Sequence, residues 1–314
     1  MIPLIDLSRS LDEVADALAD TLEHVGFFIV VNHGVPQTLI RRMFAEAERF
    51  HAQPQAAKHA VLMNEHNNGY VAMARYNVRT SRVSEPALPD MNEAFFVKRE
   101  RAEDDPLARR RFAGPNRWPA DLPGFRETVL EYCETMDRLA LRVLPALSLS
   151  LGLPEDWFAP HFTCSQFTFR LSHYPPAAPE LGRYGIAPHT DANFLTFLAQ
   201  SGMPGLQVRR DDDDWEDVPF VEDSFVVNTG DMLHRWTNGR YQSTPHRALP
   251  PVERHRYAIP YFFGPNLDAE IRCVPTCTGP GNPSRWPPIV YEDHLAWWYD
   301  ANYNAAEQQD LVAV

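Results

Sequence analysis

The sequence contains few cysteines and no long hydrophobic run. Four cysteines in 314 residues are too few for a disulfide-stabilised scaffold, and the close pair Cys273 and Cys277 lacks the second ligand pair of a zinc site. The longest strongly apolar stretch, residues 26–31, is far shorter than the roughly 20 residues that span a bilayer. The first residues also lack the basic and apolar regions of a secretory leader. We therefore expect a reduced, cytoplasmic protein without a membrane partner.

Positive charge is also scarce. The chain has 29 Lys and Arg against 42 Asp and Glu, which gives a formal net charge of −13. A surface of this sign repels nucleic-acid phosphates and anionic lipids, so neither is expected as the main partner. The hydrophobic fraction of 44% is too high for a disordered chain and is sufficient to form a large core.

The hydrophobic pattern divides the chain into four segments. Residues 1–120 mix short strands with amphipathic helices, one of which follows the capping residue Ser10. Residues 121–160 carry a long supporting helix with one apolar stripe. Residues 161–270 contain many short strands separated by turn residues, and residues 271–314 are predicted to form a helical tail. We expect a mixed α+β fold in which helices support a central barrel or jelly roll, folded as one cooperative unit. The predicted strands of the third segment are Phe167–Tyr174, Phe194–Leu198, Leu206–Val208, Phe225–Asn228 and Tyr257–Phe263.

Two histidines and an aspartate form a candidate metal site. His189 and Asp191 are two residues apart, so their side chains share a face if the segment is extended. His246 begins another predicted strand. Two histidines and one carboxylate on one face of a metal are typical of non-haem Fe(II) oxygenases, which keep the other positions open. Alone the pattern is weak, because His189 could lie in a surface turn and His246 in the core.

Arg256 begins a strongly apolar predicted strand. An arginine inside the fold needs an anionic partner, since a buried unpaired charge is very costly. If the strand faces the interior, the carboxylate of a ligand would satisfy the guanidinium. From this strand alone, an ion pair with an acidic residue of the protein is an equally good interpretation.

A series of further motifs accompanies these residues in order along the chain. Taken together, they resemble the isopenicillin N synthase-like family of Fe(II)- and 2-oxoglutarate-dependent oxygenases. The motifs are IPLIDL (residues 2–7), GFFIVVNHGV (26–35), GPNRWP (114–119), His189-Thr190-Asp191, VNTGDM (227–232), WTNGRY (236–241), STPHR (243–247) and RYAIP (256–260).

The resemblance implies a double-stranded β-helix (jelly-roll) core. It implies iron bound by His189, Asp191 and His246, with Arg256 binding the distal carboxylate of 2-oxoglutarate. Fe(II), 2-oxoglutarate and O2, with ascorbate as an optional reductant, would oxidise a C–H bond of a small-molecule substrate, most commonly by hydroxylation. We expect a monomer or a weak homo-oligomer. Two alternatives remain open: an Fe(II) oxidase that dispenses with 2-oxoglutarate and performs cyclisation or desaturation, and a non-enzymatic ligand-binding jelly roll.

Two positions depart from the family pattern. The family usually has a serine where this chain has Ala258, and the serine hydroxyl shares the cosubstrate carboxylate. The usual Asn-x-Tyr is replaced by Ser172-His173-Tyr174, in which Tyr174 matches the cosubstrate-binding tyrosine and Ser172 has a shorter reach. We therefore expect the 2-oxoglutarate contacts to be altered and the iron site to be unaffected.

Candidate substrate contacts come from strand parity and from loops. Arg170 alternates onto the same face as Ser172 and Tyr174, so it is a candidate second anchor for an anion, although a salt bridge at the barrel rim is equally compatible. In the family, substrate choice is set by loops over the barrel mouth. Here these would be residues 69–82, with Tyr70, Arg75 and Arg79, and residues 92–98, although Arg75 and Arg79 could instead be solvated loop residues.

Overall fold

The chain folds into two facing β-sheets with supporting helices. The computed structural model describes residues 1–74, 88–102, 104–210 and 214–304. The strands are β1 (Leu4–Asp6), β2 (Phe27–Val31), β3 (Gly69–Val71), β4 (Glu93–Lys98), β5 (Gln166–Tyr174), β6 (Ile186–His189), β7 (Leu195–Gln200), β8 (Leu206–Arg209), β9 (Trp215–Asp217), β10 (Phe225–Thr229), β11 (His246–Ala248), β12 (Arg256–Gly264), β13 (Glu270–Ile271) and β14 (Ile289–Val290). The α-helices are α1 (Leu11–His24), α2 (Gln37–His51), α3 (Gln55–His59), α4 (Phe125–Ser150), α5 (Asp231–Trp236) and α6 (Tyr291–Tyr299).

The two sheets enclose the interior in which the candidate site lies. The larger sheet has the strand order β1–β2–β10–β7–β12–β5–β4–β3, and the smaller has the order β6–β11–β8–β9. Phe27 and Val226 of the larger sheet belong to one apolar cluster with Leu206 and Val208 of the smaller. The predicted jelly-roll core is confirmed, but in the described residues the two sheets face each other without closing into a single barrel.

Helices α1 and α4 form where the sequence pattern predicts them. At the start of α1, the Ser10 hydroxyl accepts a hydrogen bond from the Glu13 backbone N–H, and the Glu13 carboxylate accepts one from the Ser10 N–H. Helix α4 buries its predicted apolar stripe, and Tyr132 on α4 packs against Phe169 of β5, with ring centroids 5.4 Å apart. This contact places α4 behind the strand that carries Arg170 and Tyr174.

Strand β4 corrects the expectation that residues 92–98 form a substrate loop. The segment lies between β3 and β5 in the larger sheet, and all six of its residues are buried. Its two ends, Glu93 and Lys98, are charged residues of a type that is rarely buried. In the structure the Glu93 carboxylate is instead held by the Lys58 ammonium at 2.8 Å, and the Lys98 side chain is fully buried.

The last segment corrects the expectation of a helical tail over residues 271–314. Strands β13 and β14 pair with each other, and the α-helix begins only at Tyr291, followed by a π-helical turn at Asp300–Asn304. Strands of the first and third segments alternate in the larger sheet, so those segments share one core. That the whole chain unfolds as one cooperative unit stays a prediction.

The structure also bears on membrane-spanning helices and on disulfide bonds. Across the described ranges, no helix combines the length and apolar character that crossing a bilayer requires. All four cysteines are free thiols.

Candidate active site

Two neighbouring strands of the smaller sheet bring the three candidate metal ligands together. His189 ends β6, His246 begins β11, and the two are directly paired in the strand register. Asp191 follows β6 after one residue. All three side chains are buried, and one ligand atom from each lies within 4.8 Å of the others. The predicted cluster therefore exists in the folded chain.

Backbone carbonyls orient both imidazole rings. The Nδ1 of His189 lies 2.9 Å from the carbonyl oxygen of Ala187, and the Nδ1 of His246 lies 3.2 Å from that of Thr244. A proton on each Nδ1 makes these contacts hydrogen bonds and leaves each Nε2 lone pair available for a metal. Both Nε2 atoms lie 3.7 Å from Oδ1 of Asp191. Three donor atoms thus converge on one point.

The carboxylate of Asp191 is fixed through its other oxygen. Oδ2 accepts hydrogen bonds from the Thr196 hydroxyl at 2.6 Å and from the Asn228 amide at 2.8 Å. Burial alone would raise the pKa of Asp191, but the two histidines and these hydrogen bonds outweigh it and lower the pKa. Burial, reinforced by His246, lowers the pKa of His189 to about 3. A neutral imidazole beside an ionised carboxylate is the protonation state that binds a divalent cation.

A buried arginine without a protein anion lies in the same interior. Arg256 is 2% exposed, and its Nε and Nη1 have no hydrogen-bond partner among the described residues. Within those ranges it also has no ion pair. Its guanidinium lies 4.8 Å from the ring centroid of Tyr174, which pairs with it across β5 and β12. Because a buried guanidinium requires an anion, this position fits the carboxylate of a ligand.

Ser172 and Ala258 face each other across the same two strands. They are direct register partners, and both are buried. The Ser172 hydroxyl has no hydrogen-bond partner in the part of the chain that the structure describes. Ser172 and Ala258 line one cavity with Arg256, Tyr174 and the three metal-ligand residues. We call this cavity the cosubstrate cavity.

Arg170 lies at the junction between the cosubstrate cavity and a second cavity. Strand parity predicted that it faces the interior with Tyr174, and it lines both cavities together with His189 and Asp191. Its Nη2 donates to the Asn92 amide oxygen at 2.5 Å, and its guanidinium lies 5.2 Å from the Phe96 ring centroid. Arg170 is therefore close to both the metal site and any molecule in the second cavity.

We call the second cavity, which also borders His189 and Asp191, the substrate cavity. Sequence reasoning gave helix α6 only a packing role, but four of its residues line this cavity: Tyr291, Leu295, Trp298 and Tyr299. The aromatic run 297–299 was the available signal, because three consecutive aromatic residues cannot all point into one core. Phe96, Thr168 and Phe262 complete much of the wall.

One predicted substrate contact, Tyr70, is not brought to this cavity. The Tyr70 side chain lies on the opposite face of the larger sheet, where its hydroxyl donates a hydrogen bond to the Glu93 carboxylate and burial raises its pKa. Its register partner is Phe95, which faces away from the interior because Ala94 and Phe96 face inward. Arg75 and Arg79 lie outside the described residues.

Comparisons with known proteins agree with this geometry. Residues 2–121 match the family described as non-haem dioxygenase in morphine synthesis N-terminal, and residues 165–265 match the 2OG-Fe(II) oxygenase superfamily. The chain is 35% identical to the 2-oxoglutarate-Fe(II) type oxidoreductase hxnY of Emericella nidulans, over 97% of this chain and 91% of that protein. It is 33% identical to the validamycin A dioxygenase of Streptomyces hygroscopicus subsp. limoneus, over 90% and 82% of the two chains.

A solved structure extends the similarity to three dimensions. A full-length Neurospora crassa protein, crystallised in complex with alpha-KG and thymine, superposes with a TM-score of 0.83 at 27% identity, covering 96% of both chains. The family recognised in the sequence is thus confirmed, and the His189–Asp191–His246 cluster fits the iron that this family uses. The chain belongs to the Fe(II)- and 2-oxoglutarate-dependent oxygenases, enzymes that oxidise small molecules with O2.

Proposed function

We propose that this oxygenase hydroxylates an unactivated C–H bond of a small ring-containing metabolite. The observation that carries the proposal is the pair formed by an open His–Asp–His cluster and the unpartnered, buried Arg256 in one cavity, both within the described residues. When bound, iron together with 2-oxoglutarate supplies the oxidising power: one O2 and one 2-oxoglutarate yield succinate, CO2 and the hydroxylated product. Ascorbate would serve only as an optional reductant.

The protein residues have separate tasks in this proposal. His189, Asp191 and His246 would hold the iron, which would supply the site for the reactants. Arg256 binds the distal carboxylate of 2-oxoglutarate, and the Tyr174 ring beside it limits the orientation of that carboxylate. The apolar walls of both cavities exclude water, which protects the oxidising species and strengthens each ionic contact.

We propose that Ser172 replaces the hydroxyl that is missing at Ala258. The two residues are direct cross-strand partners in the cosubstrate cavity, and the Ser172 hydroxyl is buried without a partner among the described residues. Ser172→Ala should weaken 2-oxoglutarate binding about 10-fold, since a hydrogen bond to a charged group contributes about 1.5–3 kcal/mol. Adding Ala258→Ser to that variant should restore most of the affinity. Calorimetric titration of the Mn(II)-loaded protein measures both effects, and equal affinities in wild type and Ser172→Ala would contradict the assignment.

We propose that Arg170 orients the substrate against the metal site. It borders both cavities, and its guanidinium lies over Phe96, which forms part of the substrate cavity wall. Arg170→Leu should therefore uncouple 2-oxoglutarate decarboxylation from substrate oxidation, so that succinate exceeds product by several-fold. Comparison of the two yields under limiting O2 provides the measurement. A one-to-one ratio of succinate to oxidised product, with unchanged affinity for 2-oxoglutarate and for the substrate, would contradict the role proposed for Arg170.

The reaction outcome is testable with isotopically labelled oxygen. Hydroxylation under ¹⁸O2 places one label in succinate and the other in the product, whereas desaturation or cyclisation leaves the product unlabelled. We expect a labelled product. An unlabelled, oxidised product would favour the second candidate, cyclisation or desaturation, and absence of succinate would favour an oxidase that does not use 2-oxoglutarate.

The proposed substrate class follows from the relatives and from the cavity. The Neurospora crassa protein binds thymine and another relative is a validamycin A dioxygenase, so ring-containing small molecules are substrates or ligands of similar proteins. The aromatic and aliphatic walls of the substrate cavity suit the apolar part of such a ring. We also propose a cytoplasmic location, in keeping with the free thiols, and a monomer or weak homo-oligomer, which sedimentation velocity would test.

A further inference from the structure

We propose that the substrate carries a carboxylate or similar acidic group, and that Lys98 binds this group at the end of the substrate cavity. The inference rests on the proposed function, since it concerns the molecule that the oxygenase oxidises. It adds a recognition residue, on β4, in the segment that the sequence suggested to be a loop.

The chain contains only two lysines, and both are buried. Lys58 has an ion-pair partner, because its ammonium lies 2.8 Å from the Glu93 carboxylate. Lys98 is 0% exposed and has no carboxylate partner within the described ranges. Its Nζ instead donates to two neutral hydroxyls, Thr168 Oγ1 at 3.1 Å and Tyr299 Oη at 3.5 Å.

Both of those hydroxyl groups belong to residues that line the substrate cavity. Lys98 is the register partner of Thr168, and it shares the interior face of β4 with Phe96, another residue of the cavity wall. Thr168 remains partly exposed although it faces the interior, so the cavity reaches this point. Lys98 itself is 0% exposed and does not line the cavity, so an anion bound there would meet the Thr168 and Tyr299 hydroxyls first and would reach the ammonium by displacing them.

The described surroundings of Lys98 lack compensating negative charge. Burial, and then the nearby Arg111, lower the pKa of Lys98 to about 7. Arg111 has its own partner, Asp300, at 2.8 Å. The other close neighbours of the ammonium are aromatic rings, Phe112 and Tyr299, at 5.7 and 5.1 Å from the ring centroids. A bound anion would supply the missing charge and return the pKa toward its usual value.

The position of Lys98 also indicates how the substrate is oriented. Thr168 and Arg170 are alternate residues on one face of β5, which separates them by roughly 6.6 Å along the strand. Arg170 borders both cavities, whereas Thr168 lines only the substrate cavity. The acidic group bound at Thr168 and Lys98 thus lies farther from the metal than Arg170. The oxidised carbon is accordingly several bonds away from that group.

The presence of only two lysines makes a direct test possible. Protein labelled with ¹³C at the lysine ε-carbon gives two lysine signals, which Lys98→Met assigns. The sample contains Zn(II) in place of Fe(II) and saturating 2-oxoglutarate, so that the cosubstrate cavity is filled. The probes are phenylacetate, cinnamate and cyclohexylacetate, each compared with its uncharged primary amide.

We expect the carboxylates to shift the Lys98 signal, to leave the Lys58 signal in place, and to raise the Lys98 pKa. The amides should do neither. Lys98→Met should weaken binding of the tightest carboxylate about 10- to 100-fold while 2-oxoglutarate binding stays unchanged. Lys98→Arg, which keeps the charge, should retain part of the affinity.

Three results would overturn the inference: no carboxylate shifts Lys98, acids and amides act equally, or Lys98→Met binds the acids as wild type does. The proposed function is tested separately in the same sample, because it fails if the wild-type protein does not bind 2-oxoglutarate. Retained 2-oxoglutarate binding with an unresponsive Lys98 would count against the acidic substrate alone.

Discussion

Asp191→Ala should abolish metal binding and all succinate formation. Within the described residues, Oδ1 of Asp191 is the anionic donor that faces both histidine Nε2 atoms, at 3.7 Å from each. Without it, two neutral imidazoles remain, and they provide neither the charge nor the third contact that holds a divalent ion on one face. We expect Fe(II) affinity to fall more than about 100-fold, since even the loss of an outer contact to a ligand costs 10- to 100-fold.

A graded comparison separates loss of the ligand from general damage. Asn228→Ala removes one hydrogen bond to the non-facing oxygen of Asp191 and keeps the ligand itself. Its Fe(II) affinity should fall by about 10- to 100-fold, less than for Asp191→Ala. Anaerobic equilibrium dialysis measures both affinities, with circular dichroism as the check on folding. Asp191→Ala binding Fe(II) nearly as tightly as wild type would contradict the ligand assignment.

Arg256→Met should eliminate 2-oxoglutarate binding while preserving the fold. Removing one member of a buried charge pair usually costs about 2–5 kcal/mol or more, so we expect affinity to drop at least about 30-fold. The stability of the protein without 2-oxoglutarate should not fall. Arg256 has no acidic partner in the described part of the chain, so its replacement leaves no protein carboxylate there unpaired. The melting temperature should stay equal or rise.

Arg99→Met provides the matched control. The Arg99 guanidinium contacts the Asp137 carboxylate at 2.8 Å and the Ser165 carbonyl at 2.7 Å, and Arg99 does not line the cosubstrate cavity. Its replacement should lower the melting temperature and leave 2-oxoglutarate affinity unchanged, which is the opposite of the Arg256 result. If Arg256→Met binds 2-oxoglutarate normally, or loses stability as Arg99→Met does, then Arg256 stabilises the fold and does not bind the cosubstrate.

The metal cluster could be predicted from the sequence because its geometry is local. A spacing of two residues places His189 and Asp191 together in any extended segment, and the direct pairing of β6 with β11 supplies His246. Strand parity likewise placed Arg170, Ser172 and Tyr174 on one interior face. The role proposed for Ser172 beside Ala258 depends on the register between β5 and β12, which the sequence does not specify.

The substrate cavity could not be predicted, because its walls come from distant segments. Helix α6 has an apolar face in the sequence, but nothing local shows which part of the interior it covers. The family resemblance assigned residues 92–98 to a substrate loop, and burial of Glu93 and Lys98 in a strand was not expected, because charged residues are rarely buried. The ion pair between Glu93 and Lys58 compensates the buried charge at the first residue of β4. At the other end Lys98 stays buried beside the substrate cavity.

The most direct test is an anaerobic titration of the wild-type protein with Fe(II) and then with 2-oxoglutarate. An iron held on one face by His189, Asp191 and His246 has room for both the keto and the carboxylate oxygen of 2-oxoglutarate. We predict one Fe(II) and one 2-oxoglutarate per chain, with a visible charge-transfer absorption that develops only when both are present. A protein that binds no Fe(II), or that binds Fe(II) and 2-oxoglutarate without this absorption, would contradict the open three-residue metal site.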